Sequence, residues 1–415
     1  MAGAHSHRRD RRATLPGGPG HGPGHGHGHS HSDGPDVPVT RGARVVLLGF
    51  LGLVGLATLI GVWVLWPAGD EVDKLADSVP FAAEGVTFPA AEVVEVEPAC
   101  AEGDDGSACG QIVVNVDGEP TRLTVPPQVL ASDLAAGDDV RLVRTPGAEG
   151  EPARVSWFGV ERTSPIWLLG GLFVLVVVAV ARLRGVLALV GLVFAGLVLW
   201  QFVLPALLVG ESAVAVGLVG SAAILYVVLY TTHGFSIRTS AALAGTHVGV
   251  LLTALLGWLA VGATRLTGVA DEGANTLTTF APGLDFTGLL TCAVIIAGLG
   301  VLNDVTITQS SAVWELRAAA PGMSRATVFA SAMRIGRDHI ASTIYTIVFA
   351  YAGTALTVLL VLQLYGLPVA DLLATEEIAQ EVVRTLATSI GLVLAVPVTT
   401  AIAAVTVPAG LANQN

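Results

Sequence analysis

The sequence predicts an α-helical integral membrane protein with about eight transmembrane helices and a small extracytoplasmic β-rich insert after the first helix. Three observations favour this class. Hydrophobic residues make up 53% of the chain and charged residues 13%, whereas soluble domains average about 25% charged residues. The apolar residues fall in runs of roughly 20, the length that crosses a bilayer as a helix. The mean hydropathy is +0.69.

Residues 1–44 form a tail rich in His, Gly and Pro, and such a composition predicts disorder because it cannot bury a core. Neutral imidazole binds Zn²⁺, Ni²⁺ or Cu²⁺, so the tail is a candidate for weak divalent-metal binding. The alternative is a solvated tail with incidental metal affinity. No other cofactor is expected. The candidate ligands are His21, His25, His27, His29 and His31.

The first apolar run, residues 45–66, contains no charged residue and is long enough to span a bilayer. Arg41 and Arg44 precede the run, and Trp63 and Trp66 end it as interfacial anchors. The run lacks the short apolar region and the small-residue cleavage site of a cleaved signal peptide. We therefore expect a signal anchor with a cytoplasmic N-terminus.

The polar insert, residues 67–165, contains short β-like runs separated by turn signals such as Asp117-Gly118. Such runs predict a small barrel of the OB or SH3-like type. Because the insert is acidic and poor in aromatic residues, nucleic acid is not expected as its ligand. The predicted strands are 92–97, 111–116, 121–125, 139–143 and 153–161.

Cys100 and Cys109 flank an acidic loop within this insert. On the exported side of a membrane they are predicted to form a disulfide, which the loop-entropy model values at roughly 2.5–3 kcal/mol. Two free thiols are the alternative. Cys292 stands alone in an apolar run, where a packed small residue is expected.

Further apolar runs follow the insert, and the charges of their links predict the topology. Arginines from Arg182 to Arg337 fill the links on one side, and acidic residues from Glu211 to Glu381 dominate the opposite links. This positive-inside pattern places the insert outside and both termini in the cytoplasm. The predicted spans are 166–181, 185–204, 212–230, 240–262, 286–304, 340–362 and 385–407, in a domain 166–407 with a cytoplasmic loop 305–338 and a tail 408–415.

The stretch 298–315 carries the main functional candidate. On a helix, Asp304, Thr308, Ser311 and Glu315 share one face, and that face continues backwards as small residues. A charge near membrane depth is costly unless it faces protein, water or a partner. We therefore predict that this face turns inward.

A second stripe of small and polar residues starts at His339, directly after Arg337 and Asp338. Two stripes that each begin with an ionisable residue at the expected cytoplasmic end of a helix predict a pathway between the helices. The alternative is that Asp304 and Glu315 pair with nearby arginines and only fix the loop. Small residues and threonine are common at membrane helix contacts, which by itself would produce both stripes.

The span 240–262 contains Gly245 and Gly249, a small-xxx-small pair suited to close helix contact. His247 lies between them. A lone histidine in a membrane span is a candidate proton or metal site, and the alternative is a hydrogen-bonded packing residue.

Enzymatic motifs are absent from the sequence. No phosphate-binding P-loop, zinc-protease helix or serine-nucleophile elbow occurs. An enzyme is therefore not expected.

The residues from Leu302 to Leu316 read LNDVTITQSSAVWEL, and GRDH follows at Gly336–His339 before a span. With Asn303 and Asp304 in its Asn-Asp-Val-Thr segment, this sequence resembles the YibE/F-like family of bacterial membrane proteins over roughly residues 83–404. The resemblance implies a multi-pass fold with an extracytoplasmic insert, located in the bacterial cytoplasmic membrane. It implies no reaction.

Two functions fit these features. The first is a transport-type, permease-like protein for an ion or small solute, in which Asp304 binds a cation or proton and hydroxyls replace hydration. The second is a non-transporting scaffold or permease subunit that docks an envelope or ATPase partner. The expected partners are the lipid bilayer and either a second copy of the chain or another membrane protein.

Overall fold

The computed structural model describes residues 37, 39–78, 81–97, 110–147 and 151–408. Long helices dominate it, and one antiparallel sheet separates the first long helix from the rest. In chain order the elements are α1 (Arg41–Val64), α2 (Gly69–Ser78), β1 (Ala90–Val96), β2 (Gln111–Val116), β3 (Glu119–Thr124), α3 (Pro127–Leu130), β4 (Asp139–Thr145), β5 (Arg154–Val160), α4 (Thr163–Val198), a π-helical turn (Leu199–Val203), α5 (Leu204–Leu208), α6 (Ala213–His233), α7 (Ile237–Thr264), α8 (Glu272–Phe280), α9 (Phe286–Ala319), α10 (Arg325–Thr354), α11 (Leu356–Tyr365), α12 (Val369–Ala374) and α13 (Glu376–Thr406).

The length and apolarity of these helices are typical of a membrane protein. Within the described ranges, six helices are long and apolar enough to cross a bilayer, or seven if α10 and α11, which meet at a 67° bend, form one broken span. The sequence predicted about eight. The difference arises because residues 163–208 run as one helical stretch of 46 residues.

That stretch is not one straight rod. Arg182 has φ 53° and ψ −132°, outside the helical region, at the link predicted between two spans. At 1.5 Å per residue a straight helix of this length would measure about 69 Å, roughly twice the hydrocarbon core. Beyond the break, a Cβ on Gly185 would lie 2.6 Å from the carbonyl oxygen of Val177. A continuous helix cannot bring these residues together, so the chain bends back at Arg182.

The first arm of α4, residues 163–181, is apolar on every side and has no buried residue. Trp167 and Leu168 are each 75% exposed. A helix that is hydrophobic all round needs an apolar environment on every face. This arm therefore lies at the edge of the bundle and has the composition of a helix surrounded by lipid.

Close packing of α7, α9 and α13 forms the centre of the bundle. A Cβ on Gly245 would lie 2.1 Å from Thr399 Oγ1, and one on Gly391 would lie 2.0 Å from Thr253 Oγ1. Only glycine allows these backbones to approach so closely. The close contact predicted for the pair Gly245 and Gly249 is confirmed, since Gly249 packs against Ala395.

The first helix, α1, packs into this bundle and is more than an anchor. Leu47, Leu51 and Thr58 are buried, and the Tyr226 hydroxyl of α6 donates a hydrogen bond to the Leu51 carbonyl at 2.5 Å. Trp66 stacks on Phe202 with ring centroids 5.8 Å apart. Trp66, which was predicted as an interfacial anchor, therefore also makes a packing contact.

The sheet has the strand order β3-β2-β1-β4-β5, with all neighbours antiparallel. The strands predicted in the insert are confirmed. The edge strands β3 and β5 contact each other without forming a ladder, which makes the sheet a half-open barrel. Its inner face buries Val93, Ile112, Val114, Val140 and Leu142. The short helices α2, α8 and α12 were not predicted.

Glu161 links this sheet to the start of α4 through hydrogen bonds. It accepts a hydrogen bond from the backbone amide of Thr163 at 3.0 Å and another from Arg141 Nε at 2.6 Å, and the Thr163 hydroxyl also donates to it. The Thr163 hydroxyl and the Arg141 guanidinium lower the pKa of Glu161 from 4.5 to about 2. The carboxylate therefore stays ionised at neutral pH and holds β4 against the first turn of α4.

Candidate functional site

The two polar stripes predicted from the sequence meet at one point. Asp304 Oδ2 on α9 lies 3.7 Å from His339 Nε2 on α10. The helices form an antiparallel hairpin whose turn contains Pro321-Gly322, and Ser324 caps α10 by accepting a hydrogen bond from the Thr327 amide at 3.1 Å. Asp304 lies 15 residues before the end of α9 and His339 lies 14 residues after the start of α10, from the bounds of the two helices. The hairpin geometry therefore brings the pair together.

The prediction that this face of α9 turns inward is wrong. Asp304, Thr308 and Glu315 are exposed, and Ser311 is half-buried. The side chain of Asp304 is 67% exposed. The physical reason is that a carboxylate loses more by leaving water than a hydroxyl or amide does.

A different polar face of α9 is buried instead. Thr306 Oγ1 lies 2.6 Å from Thr246 Oγ1 of α7, Gln309 Nε2 donates to the Ala332 carbonyl at 2.8 Å, and Ser310 Oγ donates to the Arg238 carbonyl at 2.8 Å. These neutral groups find partners inside the bundle. Sequence reasoning missed them, although their spacing of three and four residues marks a second polar stripe.

The α7–α9–α13 centre leaves no room for a pathway where it is tightest. Gly245, Gly249 and Gly391 each have a neighbouring atom closer than 3.0 Å to the position of an added Cβ. A route for a solute along α9 therefore has to follow the exposed stripe, beside α10, and not the centre of the bundle.

The pairing of the acidic residues with arginine is not observed. Among the described residues, Asp304 and Glu315 form no ion pair with Arg334 or Arg337. Arg334 donates to Ser331 Oγ at 2.9 Å, and Arg337 is exposed, as is its neighbour Asp338. In the described part of the chain the acidic stripe is therefore exposed and is not paired with these two arginines.

Two other arginines of the hairpin bind backbone carbonyls. Arg317 is 3% exposed and donates to the carbonyls of Pro321 and Met323 at 3.0 and 2.6 Å. Arg325 donates to the Val407 carbonyl, beyond the end of α13, at 2.9 and 3.1 Å. These contacts fix the hairpin turn to the end of α13 and leave the acidic stripe unobstructed.

A second histidine lies near the acidic stripe. His233, at the end of α6, is within electrostatic range of Asp304, Arg238 and Arg184. From the sequence, His233 is a weaker candidate proton or metal site than His247, near the expected cytoplasmic end of its span. Asp304 therefore interacts electrostatically with a histidine on α6 and lies 3.7 Å from a histidine on α10.

His247 is a packed residue. It is 6% exposed, its Nδ1 donates to the Leu243 carbonyl at 2.8 Å, and its ring lies 5.1 Å from that of Tyr226. Its Nε2 has no hydrogen-bond partner among the described residues. This geometry favours the packing role. Cys292 is 1% exposed and packs against Gly217, as expected for a small packed residue.

The described part of the chain contains no group of three or more His, Cys, Asp or Glu residues that could hold a metal ion. The candidate ligands of the N-terminal tail and the predicted Cys100–Cys109 disulfide lie outside the described residues. Asn303, next to Asp304, is half-buried, and its Oδ1 has no hydrogen-bond partner among the described residues.

The chain is similar to a known protein family. The model of the YibE/F-like protein family matches residues 169–409, which cover the helices from α4 to α13. The match begins after the five-stranded sheet, whereas the sequence analysis expected the resemblance to include the insert. No curated protein and no solved structure matches the chain.

Proposed function

Since the chain belongs to the YibE/F-like protein family, we propose that it is a transport-type membrane protein for an ion or small solute. Asp304 and His339 form the cytoplasmic entrance of its pathway. The observation that supports this proposal is the 3.7 Å approach of these two side chains at the junction of the two polar stripes. A carboxylate beside a histidine can bind a cation, or share a proton with the imidazole near neutral pH.

The pathway would be a lateral groove along the outer face of α9, beside α10. Ala293, Ala297 and Gly300 continue the stripe from Asp304, and none of them is buried. Thr346 and Gly353 on the outer part of α10 are exposed as well. The densely packed α7–α9–α13 centre would serve as the fixed wall, and α10, which bends by 67° into α11, would be the part that moves.

The topology that goes with this proposal has eight crossings, both termini in the cytoplasm and a bacterial cytoplasmic membrane as the location. The turn at Arg182 divides the 46-residue stretch into two arms, which supplies the additional crossing. The arginines at this turn and in the α9–α10 hairpin would then lie on the cytoplasmic side. The half-open barrel, of OB or SH3-like type, would lie outside.

The proposal is tested by reconstituting the full-length chain into proteoliposomes with an internal dye for pH, Na⁺, K⁺, Mg²⁺ or Zn²⁺. We expect at least one imposed gradient to collapse faster than in protein-free vesicles of the same lipid. If all gradients decay at the protein-free rate, in vesicles verified to hold folded protein, the transport proposal is wrong.

A scaffold role is the second candidate, and the length of the α9–α10 hairpin favours it. Beyond Asp304, α9 continues for 15 residues to Ala319, or about 22 Å at 1.5 Å per residue. Glu315, Arg334 and Arg337 are exposed on this extension, where they could dock a cytoplasmic protein such as an ATPase. Stoichiometric co-purification of such a protein from native membranes would favour this role.

A further inference from the structure

The two side chains of the Asp304–His339 pair differ in their access to water. The Asp304 side chain is 67% exposed. His339 Nε2 is buried and has no hydrogen-bond partner among the described residues, yet Asp304 Oδ2 lies only 3.7 Å from it. An ion that arrives from water therefore meets the carboxylate before it meets this nitrogen.

This arrangement suits a proton better than a metal ion. A hydrated metal ion cannot reach His339 Nε2, because that atom is closed to water. Asn303 Oδ1, beside Asp304 in the sequence, is buried in the same way and also lacks a partner within the described ranges. A metal ion would be left with the Asp304 carboxylate and the exposed Thr308, a set much smaller than the roughly four ligands of Zn²⁺ or six to eight oxygens of Ca²⁺.

The charges around the pair also disfavour a divalent cation. His233 interacts electrostatically with Asp304 and with two arginines of other helices, Arg184 of α4 and Arg238 of α7. Directly before His339, α10 carries two exposed charged residues, Arg337 and Asp338. Because electrostatic repulsion grows with the charge of the ion, the arginines of this neighbourhood oppose a divalent cation more than a proton.

We propose that the ion handled at this site is a proton, which Asp304 receives from water and passes to His339. This inference rests on the proposed transport function and names its ion. The O–H bond at Asp304 Oδ2 breaks as the N–H bond at His339 Nε2 forms, which restores the carboxylate and leaves a positively charged imidazolium. The imidazolium becomes neutral again when it gives its other ring proton, on Nδ1, to a water molecule or hydroxyl.

The distance between the two side chains gives this transfer a control point. At 3.7 Å the pair is wider than a hydrogen bond, so transfer requires an approach of about 1 Å. The exposed Asp304 side chain has room to make this movement. Since the two residues belong to different helices, movement of α10 against α9 would make and break the contact.

The test uses the full-length chain in proteoliposomes with an internal pH dye, in buffers freed of divalent metal ions by a chelator. A K⁺ diffusion potential set by valinomycin drives uptake. We expect protein-dependent proton uptake, whereas vesicles that contain dyes for Na⁺, Mg²⁺ or Zn²⁺, tested without chelator, should show no protein-dependent flux of these ions. His339→Gln cannot take up a proton and should lower proton uptake at least about tenfold, since a positioned proton-transfer group typically contributes about 10²- to 10⁴-fold.

Two further variants control for charge and shape. Asp304→Glu keeps the carboxyl group and should retain much of the uptake that Asp304→Asn loses. Asp338→Asn is the matched control for His339→Gln, because Asp338 is the preceding residue and is exposed. Its uptake should equal that of the unmodified chain.

The outcomes separate this inference from the transport proposal. Protein-dependent flux of a metal ion without proton uptake would overturn the proton relay and leave the transport proposal standing, whereas no protein-dependent flux of any ion would overturn both. Equal proton uptake by His339→Gln and Asp338→Asn would also overturn the relay. If His339→Gln does not fold, Asp304→Asn, at an exposed position, takes its place in this comparison.

Discussion

Replacing Asp304 by asparagine is expected to lower the flux of the reconstituted chain at least about tenfold. Hydrogen bonds to charged groups contribute about 1.5–3 kcal/mol, and each 1.4 kcal/mol corresponds to a tenfold change in binding. The amide keeps the shape of the carboxylate but carries no charge and accepts no proton at neutral pH. Because Asp304 is 67% exposed and its nearest ionisable partner, His339, is 3.7 Å away, folding should be unaffected.

Glu315→Gln is the matched control for this variant. Glu315 lies on the same stripe, 11 residues further along α9 by the numbering, and is also exposed. It has no histidine partner among the described residues. Flux in Glu315→Gln should stay near that of the unmodified chain. An equal loss in both variants would indicate a general effect of surface charge and would contradict an entrance at Asp304.

Replacing Gly245 by valine is expected to destabilise the bundle by at least about 2 kcal/mol, because overpacking a filled core forces side chains and backbone to shift. Even a single Cβ here would lie 2.1 Å from Thr399 Oγ1 and 2.8 Å from Thr399 Cβ. We expect much of this variant to be lost to aggregation when size-exclusion profiles are recorded after detergent extraction.

Gly262→Val controls for the change in helix propensity. Gly262 is on the same helix, α7, and has no atom within 4 Å of an added Cβ. Thr399→Ala should restore part of the stability of Gly245→Val but add nothing to Gly262→Val, since only contacting residues couple. Equal behaviour of the two glycine variants would show that α7 and α13 do not pack as described.

The strands of the five-stranded sheet and most helix positions could be predicted because they follow from local pattern. Alternating residues such as Val114 and Val116 mark β2, and Ser324 after Pro321-Gly322 marks the start of α10. The link at Arg182 was also placed correctly. Each of these signals lies within a few residues of the feature it marks.

The orientation of α9 could not be predicted in this way. The helix carries two polar stripes, one through Asp304 and Thr308 and another through Thr306 and Gln309, and periodicity alone does not rank them. Burial is decided by the neighbours: α7 and α10 supply hydroxyl and carbonyl partners for the neutral stripe. No partner inside the bundle would replace the water lost by a carboxylate.

The proximity of His339 to Asp304 was only partly predictable. Both residues were identified as the charged ends of polar stripes, yet their contact depends on the lengths of the two hairpin helices. The electrostatic interaction of His233 with Asp304 depends on the packing of α6 beside α9. The 67° bend after α10 could not be predicted, because the sequence contains no proline signal for it.

The most direct test of an entrance on the exposed face of α9 is the chemical accessibility of position 304. Asp304→Cys would be made in a chain with Cys100 and Cys109 replaced by serine, leaving only the buried Cys292. In inside-out vesicles, a membrane-impermeant methanethiosulfonate should modify this variant rapidly, and Ala297→Cys, two turns deeper, more slowly. Protection of position 304 from the impermeant reagent, together with rapid reaction with a lipid-soluble maleimide, would place it against lipid and contradict the account.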